Sequence, residues 1–461
     1  MNIPLDAALR ATGATLRDAE SAPASLRVST DTRTIEPGDT FVALRGERYD
    51  GHDYAAEAAR RGAAMLVLER PDPQTPGTPA MLVRDGLQAY MALAGRAREL
   101  FHGRVVAITG STGKTTTKEF LAQLLAVRYG DRVLAAPGNE NNEIGVSKLL
   151  LRADNAEHDV LVVEMGARKY GDVAELVQIA RPDIGILTNV GEAHLEIIGS
   201  RERLADTKWA LFGAGARAVL NAGDEVSRAR AAALRDEAHW FVAVPQAGGL
   251  DRYERLQTLT ALVGDHHLLT RAEGGAHSVE VHLHVAGEYN RANAAGAAAG
   301  ALELGVRLDD IAPRLADLQP PPGRYDSIVI GGGIRLIYDA YNANASSMIA
   351  ALDAFGAEAA TRRIAVLASM AELGDESRVL HERVGAHAAG RVDVLVVQGE
   401  FAAELARGAE RAGLGPAQIV CVGANAQAAR WLREHARRGD VVLLKGSRKY
   451  KLEEIVEELQ A

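Results

Sequence analysis

One cysteine in 461 residues excludes a disulfide within the chain, and that cysteine, Cys421, stands in the apolar run Gln418-Ile419-Val420-Cys421-Val422, which predicts an inert buried thiol rather than a nucleophile or metal ligand. Charge of one sign is gathered nowhere. The net charge of -9 comes from interspersed acids and bases, so it favours solubility and argues against general nucleic-acid binding; any anionic ligand has to be held by local features. No segment reaches the roughly eighteen uninterrupted apolar residues of a membrane span, and the start, Met1-Asn2-Ile3-Pro4-Leu5-Asp6, lacks a basic region followed by an apolar stretch. A cytoplasmic protein without membrane insertion is expected. Internal repeats are missing too, and the Ala-rich stretch 292–301 reads as a well-packed helix, alanine having the highest helix propensity.

What is present is ordinary globular material, 47% hydrophobic and 25% charged, in a length that suggests about three domains. Residues 1–102 hold short apolar strands at Thr40 to Leu44 and Ala64 to Leu68 among polar helices, a small α/β unit. In residues 103–318, buried-strand runs at Val105 to Ile108, Val160 to Val163 and Ile184 to Leu187 alternate with helical pattern, which implies a parallel sheet. Residues 238 to 286 break that rhythm and read as an antiparallel appendage. The run Gln319-Pro320-Pro321-Pro322-Gly323 stiffens the chain and marks a linker. Beyond it, in residues 319–461, strands at Ile334 to Tyr338, Ile364 to Leu367, Val392 to Val397, Ile419 to Val422 and Val441 to Leu444 alternate with helices, the pattern of a Rossmann-like, doubly wound α/β domain.

The sharpest motif is Thr109-Gly110-Ser111-Thr112-Gly113-Lys114-Thr115-Thr116, directly after a strand and before the helical run Lys118 to Ala126. Glycines there let backbone N–H groups turn toward phosphate oxygens, the helix N-terminus adds partial positive charge, Lys114 reaches the terminal phosphates and Thr115 ligates Mg2+. The loop is a short variant, since Ile108 stands where the first glycine of the longer pattern would be. ATP is the expected ligand; a plain glycine turn is the alternative. Phosphoryl transfer also needs oxygen ligands for divalent cations. Glu164 ends one strand and His194 follows Thr188-Asn189-Val190 after the next, which puts both at the sheet edge of the phosphate loop. Singly, either reads as a solvated or structural residue.

Together these residues resemble the Mur ligases, a family of ATP-dependent amide-forming enzymes with three domains. The resemblance covers the whole chain. It rests on the phosphate loop, Gly138-Asn139-Glu140-Asn141-Asn142-Glu143-Ile144-Gly145, Glu164-Met165-Gly166, Thr188-Asn189-Val190 with Ala193-His194, and Gly287-Glu288-Tyr289-Asn290-Arg291-Ala292-Asn293. It implies that Glu164 and His194 bind Mg2+ and that Lys208 is carbamylated, a change that makes an anion of a cation beside the metal. Ala210 stands two residues on, where relatives often carry Glu. Asn290 and Asn293 match asparagines near the adenine, although Asn290 could instead cap the Ala-rich helix.

Branch identity is expected in the last domain. Gly323-Arg324 follows the linker, with Arg324 expected at the nucleotide. Asp339-Ala340-Tyr341-Asn342-Ala343-Asn344-Ala345 is similar to the signature of the branch that adds D-alanyl-D-alanine to UDP-N-acetylmuramoyl-tripeptide. Here Ala345 replaces a proline, and Ser147 does the same after Ile-Gly-Val. Ala368-Ser369-Met370-Ala371-Glu372-Leu373-Gly374 fits the same branch. Asp339, Tyr341, Asn342 and Lys445 are the dipeptide candidates, with ordinary strand-end charges as the other reading of Asp339 and Lys445. Thr32, Arg33, Gly46 and Asn142 are the candidates for the uridine nucleotide, and turn formation explains Asp31 and Gly46 equally simply.

The chemistry implied is attack of the tripeptide carboxylate on the γ-phosphorus of ATP, then of the dipeptide amine on the acyl phosphate, with Lys114, Lys208, His194 and Asp339 as catalytic candidates and a monomer as the working unit. Another Mur branch, a folylpolyglutamate synthase or a nucleotide-dependent switch protein are the rival readings.

Overall fold

The computed structural model describes residues 1–47, 49–191, 198–234, 236–272 and 275–460. They form mixed α/β units on three main sheets. The first has five short strands in the order Thr15–Arg17, Ala80–Leu82, Met65–Leu68, Thr40–Val42, Val28–Ser29, all parallel except the first pair. Its helix Gly86–Leu100, capped by Asp85, packs against the helices Glu143–Arg152 and Asp172–Ala180. One apolar core therefore runs without a break from Met65 and Tyr90 to Leu161 and Leu176.

The central sheet has nine strands in the order Gly275–Glu280, His267–Ala272, Leu259–Val263, His239–Val244, Arg217–Asn221, Ile184–Leu187, Arg104–Thr109, Val160–Glu164, Val133–Ala135. From Leu259–Val263 to Val133–Ala135 every pairing is parallel. The expected antiparallel appendage is thus smaller than residues 238 to 286: only Leu259–Val263, His267–Ala272 and Gly275–Glu280 pair antiparallel, and His239–Val244 belongs to the parallel sheet. Its six residues are all buried, as a strand covered on both faces must be, and such a run carries no alternation to reveal its partners. Chain order reverses at Arg104–Thr109, between Val160–Glu164 and Ile184–Leu187, and the crevice at such a switch point is where α/β sheets bind ligands.

Helix Glu288–Glu303 is buried along Ala294 to Ala301. A Cβ on Gly296 would lie 3.1 Å from the Phe241 ring and one on Gly300 2.7 Å from Ile186 Cδ1, so small residues are what allow this helix to lie on the sheet beside helix Lys114–Tyr129. The third sheet runs Asp326–Ile330, Ile334–Tyr338, Asp440–Lys445, Arg362–Ala368, Val394–Gln398, Ile419–Val422, parallel but for the first hairpin, with an apolar cluster on each face. This is the expected doubly wound pattern with one added antiparallel edge strand. Cys421 corrects the expectation of a buried thiol: it is exposed, because Ile419–Val422 is an edge strand with one face open.

Candidate active site

The phosphate loop is braced by the strand end beside it. The Thr112 carbonyl accepts from Thr188 Oγ1 at 2.6 Å and from Asn189 Nδ2 at 3.1 Å, while Asn189 Oδ1 accepts from the Thr112 amide at 3.1 Å. The Ser111 amide donates to the Asn189 carbonyl, and Ser111 Oγ accepts from the Gly191 amide at 2.8 Å. A Cβ on Gly110 would stand 1.8 Å from Thr188 Oγ1, and one on Gly113, whose φ is 82°, 2.2 Å from Asn293 Oδ1. Neither position has room for a side chain. Helix Lys114–Tyr129 starts at the loop, so its first-turn amides and its dipole face whatever the loop holds. Thr115 and Thr116 are buried in that turn.

Two lysines meet at the loop's rim. Lys114 Nζ donates to the Gly110 carbonyl at 2.9 Å and Lys208 Nζ to the same oxygen at 3.0 Å. Lys208 lies in the last turn of helix Arg201–Trp209, which Ser200 caps, and is 1% exposed. Burial, and then the charge of Lys114, hold its pKa well below the ordinary lysine value. Burial also lowers the pKa of Lys114, with Glu164 opposing and Arg324 adding to the shift. Glu164 is 1% exposed; its Oε1 accepts from Asn141 Nδ2 at 2.8 Å, and its Oε2 is buried with no partner among the described residues. A buried carboxylate oxygen left unpaired is costly unless a cation meets it. Among the described residues no group of three His, Cys, Asp or Glu side chains gathers. His194 lies outside the described residues.

Asn290 is not the helix cap; Gly287 holds that position. Instead Asn290 is 1% exposed, donating to the Ala286 carbonyl at 3.1 Å and accepting from Asn293 at 3.3 Å, while Asn293 Oδ1 accepts from Thr117 Oγ1 at 3.4 Å. Both asparagines are therefore tied to the phosphate-loop helix. Arg324 lays its guanidinium 4.4 Å from the centre of the Tyr341 ring, and its buried Nε has no partner among the described residues.

Residues 27–95 match the Mur ligase family catalytic domain, 108–301 the Mur ligase middle domain and 323–448 the Mur ligase glutamate ligase domain. The UDP-N-acetylmuramoyl-tripeptide--D-alanyl-D-alanine ligase of Escherichia coli (strain K12) is 38% identical over 375 residues, which is 80% of each chain. The chain belongs to the Mur ligase family. Two solved Mur ligases match along nearly their whole length: a MurF of Acinetobacter baumannii, TM-score 0.85 at 28% identity, covering 100% of this chain and 99% of that one, and the MurF ligase of Thermotoga maritima in complex with ADP, TM-score 0.78 at 29%, covering 96% and 98%.

In this Mur ligase the phosphate loop, Glu164, Lys208, Asn290, Asn293 and Arg324 lie near one another, whereas the dipeptide candidates divide. Asp339 and Lys445 are paired with each other, Nζ to Oδ2 at 2.8 Å, both buried. Tyr341 is half-buried under Arg324. Asn342 is exposed and its Oδ1 accepts from the Ala343 amide. Asn344, not singled out from sequence, forms a capping box with Ser347 and starts helix Ala345–Gly356. Ser346 Oγ, in the first turn of that helix, comes within 3.2 Å of where a Gly191 Cβ would be, so this segment of the last domain faces the phosphate loop.

Of the uridine-nucleotide candidates, Thr32 and Arg33 line a cleft of about 430 Å³ with Phe41, Tyr49, Tyr54 and Ile144. Arg33 forks onto Asp31 at 2.6 Å and pulls that carboxyl down to about 2. Gly46 lies beside the cleft, where a Cβ would strike the Tyr49 ring at 2.7 Å. Asn142 caps helix Glu143–Arg152, accepting from the Gly145 amide at 3.0 Å. Sequence reasoning missed the bracing by Thr188 and Asn189, the Asn141–Glu164 bond and the half-exposed aromatics Tyr49 and Tyr54. Asn141 was visible inside its motif, but only the fold could pair it with a strand end 23 residues away.

Proposed function

We propose that this Mur ligase joins D-alanyl-D-alanine to UDP-N-acetylmuramoyl-tripeptide with hydrolysis of ATP to ADP and phosphate, in the cytoplasm and as a monomer. The substrates follow from relatives such as the Escherichia coli enzyme, 38% identical over 80% of each chain. The observation that carries the chemistry is the phosphate loop with Lys114 at its rim and the buried Glu164 Oε2, which has no partner among the described residues, a cation and a metal-ready carboxylate that a Mg2+-bound γ-phosphate would meet.

In this reading the units 1–102, 103–318 and 319–461 supply the uridine nucleotide, ATP and the dipeptide. Lys114 and the first-turn amides of helix Lys114–Tyr129 hold the phosphates in line, and Gly110 and Gly113 let the backbone approach them. The tripeptide carboxylate oxygen bonds to the γ-phosphorus as the bond to ADP breaks. The dipeptide amine then attacks the acyl carbon, and inorganic phosphate leaves with the acyl-bound oxygen. Asn290 and Asn293 position the nucleotide, and Arg324, held on Tyr341, reaches it from the last domain. Asp339 and Lys445, in this proposal, exchange part of their mutual bond for the dipeptide's ammonium and carboxylate, next to Tyr341 and Asn342. Thr32, Arg33, Gly46 and Asn142 face the uridine nucleotide.

Oxygen donors suit a hard divalent cation: Glu164 Oε2, buried and without a partner among the described residues, and the Thr115 hydroxyl would hold Mg2+, joined by His194 and a carbamylated Lys208. Bound there, Mg2+ supplies neutralisation of phosphoryl charge. Burial shifts the Lys208 amine toward its neutral form, the form that reacts with carbon dioxide, which supports the carbamate.

Tripeptide labelled with 18O in its terminal carboxylate tests the route: one labelled oxygen is expected in the released phosphate, and unlabelled phosphate beside normal ligation would exclude the acyl phosphate.

A further inference from the structure

Lys118 is 0% exposed, one helical turn beyond Lys114 on the same helix, and the ligation scheme gives it no task. Its ammonium bonds a different loop from the one that Lys114 bonds. Nζ donates to the carbonyls of Ala136, at 2.5 Å, and Gly138, at 2.6 Å, with Glu119 at 2.9 Å as the only acid paired with it among the described residues. A fully buried lysine is rare and costly unless all its donors are used. Here they are used to fix a loop. Strand Val133–Ala135 ends there, Gly138 turns the chain with φ 55°, and the next residues lead to Asn141.

Asn141 is the far end of the same arrangement. Its Nδ2 donates to Glu164 Oε1 at 2.8 Å, and its carbonyl accepts from the Gly166 amide at 2.8 Å. With Oε1 taken, the Glu164 carboxylate can turn only its other oxygen, Oε2, toward a ligand. A Cβ on Gly166 would lie 2.6 Å from Asn141 Oδ1, so the amide is held closely from that side too.

We propose that Lys118 is a positioning residue for the ligation: by drawing the Ala136 and Gly138 carbonyls inward it holds Asn141 on Glu164 and so aims the free carboxylate oxygen at the divalent cation. The inference rests on the ligase reading above, in which Glu164 faces the metal. In this proposal Lys118 acts through the loop carbonyls it bonds and not on the nucleotide or the metal itself. Groups that orient a metal ligand from behind change metal affinity by roughly 10–100-fold when removed.

The test is Mn2+ binding in the presence of a non-hydrolysable ATP analogue, read by electron paramagnetic resonance on wild type, Lys118→Met, Asn141→Ala and the double variant, with folding followed by circular dichroism. Each single variant is expected to weaken Mn2+ by about tenfold or more, and the double to be no weaker than the worse single, because both act through one bond. Lys118→Met with wild-type Mn2+ affinity would overturn the proposal, as would additive losses in the double. If Lys118→Met does not fold, Asn141→Ala with unchanged affinity overturns it alone. Wild type that fails to bind Mn2+ with the analogue would instead bring down the ligase reading itself.

Discussion

At the scale of single residues, what matters is which buried groups have partners and which wait for one. Among the described residues Lys208 has one carbonyl and a neighbouring cation. With 13C-bicarbonate, wild type is expected to give a carbamate carbonyl resonance that Lys208→Ala lacks; identical spectra would remove the carbamate from the account. His381 is the opposite case, fully provided for while neutral. Its Nε2 accepts from the Met370 amide at 2.8 Å, its Nδ1 faces the Ser377 carbonyl at 2.6 Å, and the ring stacks on Phe401. Burial holds its pKa below 6.5 against the pull of the Ser377 carbonyl, Glu404 and Glu400. The unfolded chain therefore takes up the proton first, and the stabilisation is complete above pH 6.5 and lost as pH falls below it. His381→Leu should cost about 1–3 kcal/mol at pH 8 by leaving two backbone groups unpaired, and should flatten the pH dependence of the urea midpoint between roughly 5 and 7. Parallel pH profiles for variant and wild type would contradict this.

At the scale of elements, the buried pair Lys445–Asp339 joins the C-terminal ends of two neighbouring strands, Asp440–Lys445 and Ile334–Tyr338. Lys445→Met leaves the Asp339 carboxylate buried without its counter-charge, an expected loss of about 3–5 kcal/mol in urea unfolding; the double variant Lys445→Met with Asp339→Asn should recover part of it, and no recovery would mean that packing, not charge, sets the cost. Legibility in the sequence follows the same physics. Strands buried on both faces, such as Val160–Glu164 and Asp440–Lys445, are continuous apolar runs and could be read directly. Val28–Ser29 and Val133–Ala135 are too short to carry a period and were not read, whereas the similarly short Thr40–Val42 was, because its apolar run continues to Leu44. Nor was the edge strand Asp326–Ile330 read, whose exposed Val329 mimics a loop. The phosphate loop and Glu164 were legible because a strand end and a glycine turn leave fixed marks; the Asp339–Lys445 pair, 106 residues apart, was not, because pairing is a property of the folded sheet.

For the whole molecule, the last domain meets the phosphate loop at Ser346 beside Gly191 and is joined to the central one through the proline run. Gln319 is tied to the phosphate-loop helix by two bonds with Gln123, at 3.1 Å each, and Arg324 follows directly. Nucleotide held at the loop is thus placed to alter how the last domain sits, and closure would keep water from the acyl phosphate. Spin labels on the first and last domains are expected to move closer when ATP analogue and tripeptide nucleotide are added together; unchanged distances would rule closure out. The most direct measurement of the central claim is the mass of the product formed from ATP, UDP-N-acetylmuramoyl-tripeptide and D-alanyl-D-alanine by the purified protein. The account predicts one UDP-linked pentapeptide per ADP and phosphate released. ATP turnover without that product, or addition of a single amino acid in its place, would contradict it.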